Sequence, residues 1–543
     1  MPPPTGLPGL QDAVAASDPT PASARQGWTL AAMCIGLFMV MLDSTITSNA
    51  TPTIQRSFDM SITQLQWVNN AYTLVTGAAV ILTGRLGDMF GRKRLYTVGM
   101  VIFVVASALS GLAPSSSWLI GSRALQGLGA ALLAPLSLSI INDAFPASSR
   151  GRAIGIWAAV SGLALSIGPL LGGVLTESVS WRAVFFLNVP ISVVGLVLTA
   201  VGVRESGDPT AGRSVDVPGA VLVSAGIFLV ILGAMQGREW GWTSGATLLT
   251  LAIGALLLVA FVGVEARVAA PLVNPSLLRN SDLLSSNAVG FLMAFGMFGS
   301  LFFLPLYMQN VLHYSPAISG LATLPLTVLL TITSAAAGRI ADAIGPRVPI
   351  GVGMTVIAAG FALLTRLAPD SGYGSIVVPY TLLGIGFGLV MSPISTAAMG
   401  SVSAGESGAV AGIVNMARQV GGTLGIALLG VVFTARATST TTALLAGHGE
   451  QHATAAARRL VAIASDPQAF ARYRGSLAPE AAHALSEGAR DVFVTSLTTV
   501  MQVSAGVSAL GAALALALLP HWRRGHRPTT SAAAVHLGDA PVL

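Results

Sequence analysis

The stretch that decides the fold is "GRLGDMFGRKR", residues 84–94, which stands between two long apolar runs. It contains three glycines and ends on the consecutive basic residues Arg92, Lys93 and Arg94. Glycine permits tight turns and close helix approach, and Arg and Lys clusters in short loops remain on the cytoplasmic side of a membrane. The stretch therefore predicts a tight cytoplasmic loop between two membrane-spanning helices.

The composition excludes a water-soluble protein. Of the 543 residues, 53% are hydrophobic and only 9% are charged, whereas soluble domains carry about 25% charged residues. So few charges cannot cover the surface of a soluble protein of this size. We therefore expect an all-α integral membrane protein.

Residue counts also exclude several kinds of site. Cys34 is the only cysteine, so the chain has no intrachain disulfide and no cysteine-rich metal site. Lys93 is the only lysine and follows Arg92, so the Gly-Lys pair of a phosphate-binding Walker A loop is absent. We expect no enzyme, no catalytic residue, no cofactor, no metal and no nucleic-acid partner. The stretch "HGEQH" at 448–452 fits a solvated loop better than a weak metal site.

Apolar runs of about 20 residues, the length of a spanning helix, recur roughly fourteen times between residues 28 and 520. With a cytoplasmic N-terminus, sixteen Arg and Lys fall in inner segments and four in short outer loops. This asymmetry predicts that both termini are cytoplasmic. The outer segment 435–492 has six more arginines, but a segment of that length crosses the membrane regardless of charge. Its stretch 453–473 has an amphipathic helical pattern and is expected to form a small external cap.

The opening stretch recurs. "GRIADAIGPR", residues 338–347, repeats the spacing Gly-Arg-x-x-Asp-x-x-Gly but lacks the basic cluster. Each copy follows the second span of a set of six, and repeated halves around a midplane site are the architecture of secondary transporters. The expected organisation is a cytoplasmic tail (1–27), a six-helix bundle (28–203), a two-helix insert with its flanking loops (204–285), a second six-helix bundle (286–520, including the loop 435–492) and a cytoplasmic tail (521–543).

Several motifs resemble those of the major facilitator superfamily, and the span count points to its fourteen-span drug:proton antiporter branch. The motifs are "GRLGDMFGRKR" after the second span, "LDSTITSNATPTI" (42–54) in the first, "RALQGLGAA" (123–131) in the fourth, "SGLALSIGPLLGGVL" (161–175) in the fifth and "SPAISGLATLPL" (315–326). The resemblance covers nearly the whole chain beyond residue 27. It implies the major facilitator fold, alternating access and, from the fifth-span motif, an exporter.

The resemblance also implies a set of conformational residues. The loop acid, Asp88, is expected to dock near Ser407 and Gly408, where a helix start is partly positive. The alternative is that the loop only anchors the topology. The fifth-span glycines pack closely in either interpretation, and a sealing role for them rests on the resemblance alone. The set comprises Gly84, Arg85, Asp88, Gly91, Arg92, Lys93, Asp342, Gly168, Pro169, Gly172 and Gly173.

Asp43 is the only acidic side chain deep within an expected span. A carboxyl group there is costly, and burial favours its neutral form, so it can exchange a proton. The alternative is a carboxyl group that is permanently paired and braces the bundle. Arg123 is its expected partner, at similar depth by the helical rise, although Arg123 could instead reach the outer surface. Gln126 lies one turn later on the same helical face.

Phe291, Phe295, Phe298 and Phe302 lie on one face of the ninth span. Such a stripe can line a cavity for lipophilic cations, through cation–π contacts, or can belong to the bundle core. We assign Asp43 and Arg123 to proton coupling. We assign Asp43, Gln126 and the four phenylalanines to substrate binding.

The sequence thus predicts a proton-driven exporter of lipophilic, often cationic drugs or natural products, working by alternating access in the cell membrane. Its expected partners are small molecules, protons and the bilayer. A dedicated exporter of one self-made natural product or lipid remains open. The exporter motif argues against an importer of the same fold, and Asp43 argues against a membrane receptor that does not transport.

Overall fold

The computed structural model describes residues 21–206, 216–268, 277, 279–400, 407–447, 453–464 and 467–519. Every regular secondary-structure element in these ranges is a helix, so the predicted all-α architecture is confirmed. The first part of the chain forms α1 (Pro21–Phe58), α2 (Ile62–Phe90), α3 (Arg92–Gly111), α4 (Ser116–Ala144), α5 (Ala147–Ser178), α6 (Ala183–Phe186) and α7 (Asn188–Gly202).

The rest of the described chain is also helical. It consists of α8 (Val217–Trp240), α9 (Gly245–Glu265), α10 (Ser281–Asn310), α11 (Pro316–Ala322), α12 (Leu324–Ile344), α13 (Arg347–Leu364), α14 (Gly374–Gly400), α15 (Ser407–Gly447), α16 (Ala453–Ala464), α17 (Pro467–Gly475) and α18 (Pro479–Leu518).

Among the described residues, twelve helical segments are long and apolar enough to cross a membrane. The pair α6 and α7 forms one of these segments, and the pair α11 and α12 forms another. The sequence also predicted spans in α2 and α8. α2 carries several polar residues, and the apolar part of α8 that stands out is the shorter segment Pro218–Ala234. The count of fourteen therefore stays a prediction.

The repeated loop motif has the same backbone in both copies. Gly91 ends α2 with φ 98°, and Gly345 ends α12 with φ 87°. Only glycine adopts such positive φ values without strain, and in each case its N–H donates to a carbonyl of the preceding turn. The shared spacing of the two motif copies thus corresponds to the same kind of helix-ending turn in both halves.

The fifth helix of each half packs on the second helix of the other half. α5 lies against α11 and α12, and α15 lies against α2. α1 and α10, the first helices of the two halves, also touch. This exchange is what a two-fold relation between the halves requires, and it brings α1, α2, α5, α10, α12 and α15 around a common centre.

The insert attaches at one side of this arrangement. α8 packs on α2 and α15, and α9 packs on α8. Along α9 large apolar side chains are exposed, among them Leu249, Leu256 and Val259. Exposed apolar side chains in a spanning helix face lipid, so the insert lies at the rim of the bundle.

Two opposite ends of the bundle can be named by their loops. The Arg92 face holds the α2–α3 turn, which contacts the ends of α4 and α7 through Arg92 and Lys93. The Asp59 face holds the α1–α2 turn, where Phe58 packs edge-to-face on Trp181 at 5.4 Å between ring centroids.

The segment 435–492 is mostly helical in its described part. α15 continues to Gly447 and α18 begins at Pro479, so both helices extend well past the expected span ends. α16 follows the expected amphipathic pattern: Ala453, Ala457 and Val461 are buried at intervals of four residues, and α16 packs on α15. Residues 448–452, with the "HGEQH" stretch, lie outside the described residues.

Candidate functional site

A buried ion pair lies in the middle of the first half. Arg123 Nη1 on α4 lies 2.5 Å from Asp43 Oδ2 on α1, and the two side chains are 1% and 0% exposed. Removing two charges from solvent costs several kcal/mol each, which only good geometry and further hydrogen bonds offset. The pair, expected from similar depth on helices that the resemblance implies to be neighbours, is in direct contact.

Three further residues form hydrogen bonds with this ion pair. Gln126 Nε2 donates to Asp43 Oδ1 at 2.8 Å, and Asn188 Nδ2 donates to the same oxygen at 3.2 Å. Arg123 donates through Nη1 to Gln126 Oε1 at 2.7 Å and through Nε to the carbonyl of Val68 at 3.2 Å. α4 and α7 thus meet α1 at the Asp43 carboxylate, and α2 joins them through the contact of Val68 with Arg123.

Asn188 has one atom without a partner. Its Nδ2 also contacts Ser107 Oγ at 3.0 Å, but its Oδ1 is buried and accepts no hydrogen bond among the described residues. A buried acceptor without a donor costs about 1–3 kcal/mol. A carboxylic acid at Asp43 would supply a donor next to it, which a carboxylate cannot do.

Tyr72 separates the ion pair from the space between the halves. The guanidinium carbon of Arg123 lies 4.3 Å from the centre of the Tyr72 ring, and the hydroxyl of Tyr72 donates to the carbonyl of Val40 at 3.4 Å. Cation–π stacking of a desolvated guanidinium contributes about 2 kcal/mol. Tyr72 and Arg123 both border a cavity between the two halves.

A cavity of about 900 Å³, counting its open part, lies between the two halves. The first half contributes mainly hydroxyl and amide groups and the second half mainly apolar groups. The lining consists of Ser44, Thr45, Thr47, Ser48, Asn69, Tyr72, Thr73, Arg123, Leu165 and Pro169 from the first half, and Met297, Phe298, Leu301, Phe302, Leu326, Thr327, Leu330, Met391 and Ile426 from the second.

The residues expected to bind substrate divide into two groups. Phe298 and Phe302 line the cavity. Phe291 and Phe295 do not: their backbones pack against Gly421 and Gly425 of α15. Asp43 and Gln126, both 0% exposed, lie behind Tyr72 and Arg123. Direct contact of these four residues with a bound molecule stays a prediction.

The fifth-span glycines lie where α5 crosses α1 and α11. A β-carbon on Gly168 would lie 2.0 Å from Thr45 Oγ1, and one on Gly172 would lie 2.0 Å from the carbonyl oxygen of Ile46. On Gly173 it would lie 2.2 Å from the carbonyl oxygen of Pro316 in the second half. No side chain fits at these distances, so glycine is required for this packing.

Asn49 hydrogen-bonds both to α5 and to the second half beside these glycines, toward the Asp59 face. Asn49 Nδ2 donates to the carbonyl of Pro169 at 2.8 Å, and Ser319 Oγ on α11 donates to Asn49 Oδ1 at 2.8 Å. Gln309 Nε2 on α10 donates to the carbonyl of Asn49 at 3.0 Å. Asn49 and Ser319 are 0% exposed. We refer to Asn49, Pro169, Gln309 and Ser319 as the seam.

The basic loop is fixed by contacts within the first half. Glu205 accepts from the N–H groups of Lys93 at 3.0 Å and Arg94 at 3.2 Å, at the start of α3. Lys93 Nζ donates to the carbonyl of Val203 at 2.7 Å, and Arg92 pairs with Asp143. The loop therefore makes specific contacts in addition to its topological effect.

The hypothesis that Asp88 docks near Gly408 concerns side chains outside the described residues. The side chains of Asp88 and of its expected contact region around Gly408 lie outside the described residues, as do those of Gly84, Arg85 and Asp342. The docking of Asp88 thus stays a prediction.

Sequence reasoning missed Asn188, Tyr72, Asn49 and Glu205. Asn188 had a usable signal, because it is an isolated amide in the apolar run "AVFFLNVPIS". Asn49 also stands in an expected span and could have been noticed for the same reason. Glu205 had no such signal, since a single acid after a span resembles any loop residue. In the described part of the chain, no three His, Cys, Asp or Glu residues are grouped closely enough to hold a metal ion.

Comparison with known proteins agrees with this architecture. The family model described as Major Facilitator Superfamily matches residues 33–426. The chain is 35% identical to the tetracenomycin C resistance and export protein of Streptomyces glaucescens, over 92% of this chain and 93% of that protein. It is 40% identical to a puromycin resistance protein of Streptomyces alboniger, over 78% and 84% of the two chains.

A solved structure supports the fold at lower sequence identity. A bacterial homolog of the human lysosomal transporter Spinster, inward-facing and occupied, superposes with a TM-score of 0.60 at 18% identity, covering 94% of this chain and 100% of that chain. The family match spans more than half of the residues, and the similarity to the Streptomyces glaucescens protein extends over nearly the full length of both chains. The chain therefore belongs to the Major Facilitator Superfamily.

Proposed function

We propose that this protein is a proton-driven exporter of lipophilic small molecules of the drug or antibiotic type. The observation that carries the proposal is the fully buried Asp43–Arg123 pair directly behind the wall of a cavity between two repeated halves. An ionisable group inside the membrane and beside a cavity marks a proton or substrate site by default. Both relatives are named as antibiotic resistance proteins and one of them also as an export protein, which supports the same direction of transport.

The arginine asymmetry supports the orientation. The Arg92 face would be cytoplasmic, as would both termini, and the Asp59 face would be external. The seam and the close-packed glycines lie toward the Asp59 face, so the cavity would be closed to the outside and reached from the cytoplasm in this conformation. Export then requires the seam to open.

α1 links the proton site to the seam. Asp43 and Asn49 lie six residues apart on this helix, about 9 Å along its axis. Protonation of Asp43 would remove the charge that holds Arg123, Gln126 and Asn188, and Asn188 Oδ1 could then accept the new O–H. Loss of these ties would loosen α1 from α4 and α7. Because α1 also carries Asn49 and Ile46, its movement would disturb the seam.

The test is drug-evoked proton release from inverted membrane vesicles. Asp43→Asn keeps the size and most hydrogen bonds of Asp43 but cannot ionise, so we expect proton release to fall to background while the protein still inserts. Asp43→Glu keeps a titratable group and is expected to retain partial activity. Asp370→Asn, in an exposed loop, is the matched control and should behave as wild type. Wild-type proton release from Asp43→Asn would sink the assignment.

A dedicated exporter of one natural product is the second candidate. It is favoured by the near full-length similarity to the tetracenomycin C resistance and export protein. A resistance panel of unrelated compounds in a host without its own pumps separates the two, since a dedicated exporter would protect against one structural class only.

A further inference from the structure

We propose that the cavity takes a molecule without a positive charge, one that carries hydrogen-bond donors and acceptors on one side and an apolar, ring-containing body on the other. This inference rests on the proposed export function and specifies its substrate class. It also departs from the expectation of a lipophilic cation, which followed from the presence of Asp43 and the phenylalanine stripe alone.

The charges around the cavity carry the first step. Among the described residues that line it, Arg123 is the only charged one, and no carboxylate reaches the wall. Asp43, the one acid deep in the bundle, is 0% exposed and has both oxygens occupied by Arg123, Gln126 and Asn188. A cation entering the cavity would therefore lose its hydration and meet no free counter-charge, which costs several kcal/mol in a low-dielectric site.

A second cation makes this environment more positive. Arg418 lies eleven residues into α15, and its side chain packs near Gly290 of α10. None of the described Asp and Glu residues forms an ion pair with it. α15 also supplies Ile426 to the cavity wall. Arg418 does not line the cavity: along α15 it lies two turns, about 12 Å, from Ile426. At this distance its charge adds only a weak bias against a positively charged ligand.

The hydrogen-bonding groups of the first half indicate what the molecule must offer. The hydroxyls of Ser44 and Ser48 donate to carbonyls of their own helix, at 2.6 Å each, so their lone pairs remain for donors on a ligand. Asn69 Oδ1 accepts from Thr47 Oγ1 at 3.3 Å, which leaves the Asn69 amide N–H groups for a ligand acceptor. The wall surface is mostly apolar, and these few polar atoms provide both acceptors and donors within it.

The opposite wall fits the rest of the molecule. Phe298, Phe302, Met297 and Met391 present rings and thioethers with no polar group, and Thr327 is the single hydroxyl among the described lining residues of that half. Methionine adapts to irregular apolar shapes, and sulfur contacts aromatic rings favourably. An uncharged ring system with carbonyl and N–H or O–H groups complements both walls at once.

Acridone and 10-methylacridinium form a matched pair of fluorescent probes for this inference. Both have three fused rings of similar size, but acridone is uncharged with one carbonyl and one N–H, whereas 10-methylacridinium is a permanent cation. Equilibrium dialysis against the full-length protein in nanodiscs measures binding of each. We expect acridone to bind at least tenfold more tightly than 10-methylacridinium.

Two variants of Asn69 sharpen the result. Asn69→Leu keeps the size but removes the amide, and acridone affinity should fall roughly three- to tenfold, the usual effect of losing one or two hydrogen bonds. Asn69→Asp places a carboxylate on the wall and should raise 10-methylacridinium affinity about tenfold or more. Ser178→Asp, at the exposed end of α5, adds the same charge outside the cavity and should leave both affinities unchanged. Identical elution of all variants in size-exclusion chromatography confirms folding.

The outcomes separate this inference from the proposed function. Wild-type protein that binds 10-methylacridinium as tightly as acridone, or binds neither probe, overturns the inference. The same holds if Asn69→Asp gains no affinity for the cation while remaining folded. The proposed function fails separately, if a probe that binds evokes no proton release from inverted vesicles. Proton release evoked by 10-methylacridinium alone would preserve the export function and overturn the substrate class.

Discussion

The two halves of the molecule share a helical plan but differ in what they present to the cavity. The first half holds a buried ion pair, two further amides and a row of hydroxyls. The second half presents phenylalanine, methionine, leucine and isoleucine at the same cavity. Under the proposed function, the division separates two tasks: the group that exchanges a proton lies in one half, and the surface that receives apolar molecules lies in the other. The two tasks meet where α1 touches α10 and α5 touches α11.

The largest expected effect comes from removing one partner of the ion pair in the first half. Arg123→Leu leaves Asp43 as a buried carboxyl group without its cation, and removing one partner of a buried pair costs about 3–5 kcal/mol. We expect a large loss of thermal stability in detergent, measured by fluorescence-detected unfolding, together with loss of transport.

The double variant provides the control for Arg123→Leu. Asp43→Asn combined with Arg123→Leu removes both charges, so it should regain most of the lost stability while remaining inactive in proton release. If the double variant is no more stable than Arg123→Leu alone, the cost does not arise from an unpaired charge.

The fold was more accessible from the sequence than the site. The spacing of glycine and acid in "GRLGDMFGRKR" and "GRIADAIGPR" predicted repeated halves because a helix-ending turn with positive φ needs glycine at one fixed position, and Gly91 and Gly345 both have it. The contact of Asp43 with Arg123 followed from depth along two helices. The depth of a residue in the membrane can be calculated from its position along the helix and the helical rise per residue.

Other features required the rotation of each helix and its neighbours. The phenylalanines of α10 share one helical face by spacing, yet of the four only Phe298 and Phe302 line the cavity. The ring of Phe298 and the backbones of Phe291 and Phe295 all pack on glycines of α15. Spacing cannot resolve this, because a face wide enough for four rings borders more than one neighbour. The seam could not be predicted from the sequence either, because Asn49 and Ser319 are 270 residues apart and no local sequence pattern relates them.

The next effect concerns the contact between the halves. Asn49→Ala removes two hydrogen bonds and leaves the buried carbonyl of Pro169 without this donor, which costs about 1–3 kcal/mol. Only the bond from Ser319 crosses between the halves, because Asn49 and Pro169 both belong to the first half and the main-chain carbonyl of Asn49 remains in the variant as the acceptor for Gln309. Losing the Ser319 bond should shift the population toward the state open at the Asp59 face, by about fivefold.

Cysteine labelling in cells measures this shift. Ser48→Cys, placed in the cavity in a background with Cys34→Ala, should react faster with a membrane-impermeant maleimide when Asn49→Ala is added. Thr51→Ala, which removes only a hydrogen bond within α1, is the matched control and should leave the rate unchanged. Equal labelling rates with and without Asn49→Ala would show that the seam does not hold this face closed.

The smallest expected effect tests the apolar half by comparing two rings on one helix. Phe298→Leu replaces a ring at the cavity wall with an apolar side chain of similar volume. Phe295→Leu makes the same change one turn away, at a buried position that does not border the cavity. Volume-conserving exchanges cost less than about 1.5 kcal/mol in stability, so both variants should fold. Phe298→Leu should change resistance unevenly, several-fold for ring-containing compounds and little for others. Phe295→Leu should lower resistance to all compounds equally or not at all. The measurement is the inhibitory concentration for a panel of compounds at matched expression. The same uneven pattern from both variants would mean that the ring of Phe295 also reaches the substrate, in a conformation where α10 has turned relative to α15.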